Sequence, residues 1–169
     1  MRNGLFAAVL LMNVCVAQEK VLTVTGICDL LRSPEKFSGT MVRVSGNVPS
    51  PRALQLYDAS CGRISIAYTE NPHLKPKANF QTIRDKNFDD FNLSLGVLVP
   101  PAPERRTGPN CTRGRLTVTV EGRFDSSYAM RNGKRVQVLP GFGHMELFDY
   151  QLVLHRVIAV DAIPVSCKQ

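Results

Sequence analysis

The chain has no tryptophan, only three histidines in 169 residues, and no two cysteines spaced as C-x-x-C. Each gap removes a class of chemistry. A zinc ribbon or a thioredoxin-type redox pair needs two sulfurs within a few residues of each other, and none are present. His73, His144 and His155 stand at no metal-ligand spacing and in no H-E-x-x-H context, so no metal site is expected from them. There is no G-x-S-x-G elbow, and no cysteine has the neighbours of a thiol nucleophile. Asp89 and Asp90 are adjacent on a helical stretch and therefore diverge rather than form a carboxylate pair. These gaps predict a protein that is not an enzyme and needs no cofactor. Aromatic side chains are few, four tyrosines and eight phenylalanines. That is thin material for the stacked platforms that hold single-stranded nucleic acid.

Long apolar runs are missing too, with one exception at the start. Met1-Arg2-Asn3 is a positive head, Gly4 to Val14 an apolar centre, and Cys15-Val16-Ala17 a small-x-small cleavage site. This is the plan of a secretory signal peptide over 1–17, leaving Gln18 first and 18–169 as a single domain. The run falls short of the roughly 20 apolar residues a spanning helix needs, so no membrane span is expected after cleavage, and the chain is expected to be secreted or periplasmic. Bulky Val14 argues against lipidation of Cys15. Four cysteines then remain, Cys28, Cys61, Cys111 and Cys167, and an even number in an exported chain reads as two disulfides. Of the alternative connectivities, Cys28 with Cys61 and Cys111 with Cys167 would fasten the N-terminal helical segment to the second strand, and the long loop to the C-terminus.

The formal charge is +7, and losing Arg2 with the leader leaves 20 basic against 14 acidic residues. The basic residues are denser at Arg105, Arg106, Arg113 and Arg115 and at Arg131, Lys134 and Arg135. Such a surplus permits a polyanion or an acidic oligosaccharide as partner, and equally serves as a solvated surface.

Along the chain, Thr25 is placed to cap a short helix bearing Ile27, Leu30 and Leu31, and Ser33-Pro34 starts a further turn. After Gly39, Val42, Val44 and Val48 share one face of a strand while Met41, Arg43 and Ser45 take the other. Gly46 inside that strand predicts a bulge or tight bend, and the same grammar returns in Val120-Glu-Gly-Arg-Phe124. Strands follow at Leu54 to Tyr57 and Ile64 to Tyr68. Phe80, Ile83, Phe88, Phe91 and Leu95 make the apolar stripe of a helix over about 80–95, and Val97 to Gly114 reads as a loop. Leu116, Val118, Val120 and Phe124 point inward from the next strand, with Glu121 and Arg123 outward. Asn132-Gly133 signals a hairpin inside the connection 125–150, and Gln151 to Ile163 closes the domain, its run Val157-Ile-Ala-Val160 buried on both faces.

Three strands, a helix and two strands is the order of a five-stranded Greek-key barrel, the OB-fold. The residues Phe37-Ser-Gly39, Val42-Arg-Val-Ser-Gly-Asn-Val48 and Leu54-Gln-Leu-Tyr-Asp58 resemble the opening of exported OB-fold proteins of the tRNA_anti-like kind, over roughly Val21 to Tyr68. The expectation is a mainly β, OB-fold-like barrel with a short N-terminal helix and a helix between strands three and four. In anticodon-binding relatives, nucleic acid lies across strands two and three, held by arginine and aromatic side chains. That resemblance points to Tyr57, Arg63 and Tyr68, with Arg52 on the first loop and Phe142 and His144 on the loop between strands four and five. The chain departs from those relatives in its short Pro49-Ser-Pro-Arg52 turn. Two readings stand: a binding module for an anionic or sugar-like ligand or a protein partner, and a disulfide-tied inhibitor or structural accessory protein.

Overall fold

The alternation in Thr40–Asn47 puts Val42 and Val44 in the core, with Val48 just beyond, while Arg43 on the other face stays exposed. The computed structural model describes residues 22–23, 26–50, 54–69, 81–98, 111–112, 114–164 and 166–167. The leader expected over 1–17, Thr25, Arg52, His73, Phe80 and most of the loop expected over 97–114 lie outside these residues.

In chain order the elements are β1 (Leu22–Thr23), α1 (Ile27–Arg32), α2 (Pro34–Phe37), β2 (Thr40–Asn47), β3 (Gln55–Asp58), β4 (Gly62–Ala67), α3 (Lys86–Ser94), β5 (Cys111–Thr112), β6 (Arg115–Ser126), β7 (Tyr128–Arg131), β8 (Lys134–Gln137), β9 (Tyr150–Ile163) and β10 (Ser166–Cys167). The main sheet runs β1-β2-β3-β4-β9-β6, and pairing of β6 with β2 closes β2, β3, β4, β9 and β6 into a five-stranded barrel. All barrel pairings are antiparallel except β4 with β9. The protein is thus a mainly β, OB-fold-like barrel with α3 between its third and fourth strands.

The core holds Val42, Val44, Leu56, Ile64, Leu116, Val118, Val120, Phe124, Leu152 and Leu154, capped by Ile27 and Leu30 from α1 and by Phe88 and Phe91 from α3. Gly46 sits where α1 comes closest: a Cβ there would lie 2.6 Å from Ile27 Cδ1 and 3.2 Å from Leu56 Cβ. The register of β2 on β6 runs unbroken past it, so Gly46 marks close packing and not a bulge. The shifts fall between β6 and β9, at Thr119/Val120 and Glu121/Gly122. Gly122 is required there, since its Cβ would meet the Val153 carbonyl oxygen at 2.4 Å.

Several boundaries differ from the sequence reading. The helix begins at Lys86 rather than near residue 80, because Asp85 caps it by accepting from Phe88 N. Residues 81–84 run instead beside β9: Ile83 N donates to His155 O, Thr82 Oγ1 donates to Leu154 O, and Ile83 is exposed. The N-cap of α1 is Gly26, without a side-chain bond. Glu121 and Arg123 face outward by register yet are buried, Arg123 being 2% exposed. Val157 is buried, but Ile158 and Val160 only partly and Ala159 not at all, so the closing strand has one dry face over this run, while Gln151 to Leu154 are buried on both. Among the described residues no helix is long and apolar enough to cross a membrane.

Candidate functional site beside the Cys28–Cys61 bridge

The β3–β4 hairpin turns through Asp58 to Gly62. Ser60 N and Ser60 Oγ both donate to Asp58 Oδ1, and these bonds hold the Asp58 carboxyl below its ordinary range. The turn carries Cys61, bonded to Cys28 on α1 with a Cα–Cα separation of 5.3 Å. Asp58 and the two sulfurs cluster within 4.8 Å, but sulfurs bonded to each other have no thiolate to offer a metal.

On one side of the bridge lies a cleft of 240 Å³, lined by Leu31, Cys61, Arg63, Phe148, Asp149 and Tyr150 among others. A second, of 320 Å³, lies on the other side between Arg32, Cys28 and Ser60 and shares Leu31 and Cys61. Arg32 is exposed and paired with Asp29. Arg63 is not spent in this way. Directly opposite Tyr57 in the ladder, it places its guanidinium 5.0 Å from the centre of the Phe148 ring and makes no ion pair among the described residues. On the far side of Tyr150, Arg135 lies 4.0 Å over Tyr128 and 5.6 Å over Tyr150, and donates to the Tyr150 hydroxyl. Two arginines stacked on rings therefore flank one tyrosine, and Asp149 supplies the cleft's own negative charge.

Phe148 is delivered by a tight loop. Phe142 N donates to Phe148 O at 2.7 Å and Phe148 N to Phe142 O at 3.1 Å, pinching off residues 143–147. Met145 and Glu146 both adopt left-handed backbone (φ 56° and 57°), and Met145 and Leu147 are 76% and 65% exposed at the tip.

The structure brings together only part of the expected set. Tyr57 and Arg63 are neighbours on the outer face, Tyr57 being exposed. Tyr68 turns away: half-buried, it packs edge-on to Phe88 at 5.8 Å, and burial raises its phenol pKa. Phe142 is 1% exposed and so is a packing residue. The His144 backbone lies in the loop between β8 and β9, and its side chain is outside the described residues, as is all of Arg52. His155 bonds the Gln81 carbonyl through Nδ1 at 2.8 Å. Sequence reasoning missed Leu31, Phe148 and Tyr150 as cleft walls. Their only local signal is an apolar, aromatic run just before the last strand, and a helix-to-hairpin disulfide is what places Leu31.

Comparison with family models, curated proteins and solved structures finds no match to this chain, so its fold and site stand on their own geometry.

Proposed function

We propose that this is an exported OB-fold-like binding module of the tRNA_anti-like kind, holding an anionic group of its ligand in the cleft at Arg63. One observation carries the reading: an exposed guanidinium, stacked on Phe148 and making no ion pair among the described residues, at the mouth of a cleft whose other side-chain walls are apolar or aromatic apart from Asp149. A stacked guanidinium keeps its edge donors free for a carboxylate, sulfate or phosphate, and the ring beneath fixes its orientation. Arg135, held over Tyr128 and Tyr150, extends the positive field past the cleft. The leader and the Cys28–Cys61 bridge support export, since disulfides persist in oxidising compartments. Titrating the mature oxidised protein with uronate oligosaccharides and with single-stranded oligonucleotides, at low and near-physiological salt, tests this. Arg63→Gln should weaken anion binding about tenfold, in keeping with a lost charge-assisted contact, at unchanged Tm. Equal affinity for Arg63→Gln and the parent would refute the cleft.

A second reading, an inhibitor or accessory protein, draws on the exposed Met145 and Leu147 beside the same cleft, an apolar tip that suits a protein partner. Met145→Ser leaves anion binding intact under the first reading and weakens partner binding under the second.

A further inference from the structure

The outer face of the barrel carries a row of polar side chains that solvent does not reach. By register Gln55 lies opposite Ser65, Ser65 beside Gln151, and Gln151 opposite Asp125. All four are on the face away from Leu56, Ile64, Ile66 and Leu152, and all are buried, with exposures of 8%, 5%, 4% and 4%. At Ser65 the row is covered by the loop 138–149. A Cβ on Gly143 would stand 3.1 Å from Ser65 Oγ, and Phe142 is buried without joining the barrel cluster. The fit is chemically poor. Gln55 Oε1, an acceptor, and Gln151 Nε2, a donor, have no hydrogen-bond partner among the described residues, and buried amide groups are normally paired. Asp125 is already satisfied by Arg123, whose Nε and Nη2 donate to it at 3.0–3.2 Å. What remains for a ligand is therefore neutral: an amide acceptor and an amide donor, with the Ser65 hydroxyl between them, in a line across three strands.

Both arms of the cover are hung from one residue. Ser127 O accepts from Val138 N and Leu139 N, and Ser127 N donates to Asp149 O. Inside it, Gly141 is a tight joint, since a Cβ there would lie 1.9 Å from the Glu146 carbonyl oxygen.

We infer that the loop 138–149 is a displaceable cover over a second site, in which Gln55, Ser65 and Gln151 bind a neutral, hydroxyl-rich ligand, an uncharged saccharide. Each sugar hydroxyl both donates and accepts, so one ligand pairs both amide atoms that the closed loop leaves unpaired. Binding then requires displacing Phe142 and Gly143, and the closed state reduces apparent affinity by the fraction of time the cover is open.

The site is independent of Arg63, and its test uses the mature oxidised chain with chitohexaose and cellohexaose. Gly141→Ala wedges the closed loop apart and should bind one of these at least about tenfold more tightly than the parent, the closed-state penalty having been removed. Gln55→Met with Gln151→Met keeps the volume and removes the unpaired atoms. It should raise Tm while abolishing saccharide binding in both the parent and the Gly141→Ala background. A purely structural role for the two glutamines predicts the opposite sign of the Tm change. A fall in Tm for the double methionine variant, or no gain of saccharide binding by Gly141→Ala in a folded protein, would overturn the inference.

Discussion

Asp85 is bonded to Phe88 N and, through its other oxygen, to Arg156 Nε at 3.0 Å; the backbone bond first and the arginine second hold its carboxyl below the ordinary value. A group whose pKa is depressed by folding stabilises the fold above its unfolded pKa, about 3.9, and loses that contribution as pH falls through its folded value. Asp85→Asn keeps a capping oxygen that does not titrate. Its Tm should therefore fall less steeply than the parent's as pH drops from about 5 to about 2, the acid range where paired carboxylates titrate, as read by circular dichroism. Arg123 and Asp125 present the opposite case, a buried pair with side-chain exposures of 2% and 6%. Arg123→Met strands a buried carboxylate and should cost about 3–5 kcal/mol, whereas Arg123→Met with Asp125→Leu should recover a large part of it. Denaturant titration of the single and double variants distinguishes these. Alternation along β6 correctly sends Arg123 to the outer face. It cannot reveal that Arg123 is buried there, because the period assigns a face and not what packs on that face.

At the scale of the element, the two strand glycines look alike in sequence and act differently in the fold. An added methyl at Gly46 meets chiefly the far end of Ile27, which can shift, whereas at Gly122 it meets the Val153 backbone carbonyl at 2.4 Å. Gly46→Ala should therefore cost about 1 kcal/mol and Gly122→Ala about 3 kcal/mol, the two ends of the usual range for overpacking. Chemical denaturation of the two variants measures the difference. The β-strands and the Asn132-Gly133 ribbon were legible because period-2 burial and turn chemistry are local; Asn132 and Gly133 do adopt positive φ, 51° and 74°. The helix start was not. Phe80 and Ile83 fit the apolar spacing, but Asp85 offers the cap and the segment before it finds carbonyls on β9, so tertiary bonds override the pattern. The candidate cleft was legible only through Arg63 and Cys61, since its remaining walls come from α1, from Gly62 and from residues 147–150.

For the molecule as a whole, the bridge closes a loop of 33 residues between α1 and the β3–β4 turn. Replacing Cys28 and Cys61 by serine should remove about 3–4 kcal/mol by the chain-entropy estimate and, by freeing α1, open the cleft wall at Leu31. A second bridge is predicted at Cys111 and Cys167, whose Cα positions are direct partners in the β5–β10 pair. Cross-strand partners lie about 4.5–5.5 Å apart, within the disulfide range of about 4.4–6.8 Å. A thiol titration of the unfolded, unreduced chain 18–169 should therefore find no free thiol, and one or two free thiols would contradict the second bridge. The binding reading itself is tested most directly by amide chemical-shift mapping as a short uronate oligosaccharide is added to the mature oxidised protein. The shifts should cluster at Gly62–Arg63 and Leu147–Tyr150 and vanish in Arg63→Gln. Shifts elsewhere on the barrel with those residues unmoved, or none at all, would contradict an anion-binding cleft at Arg63.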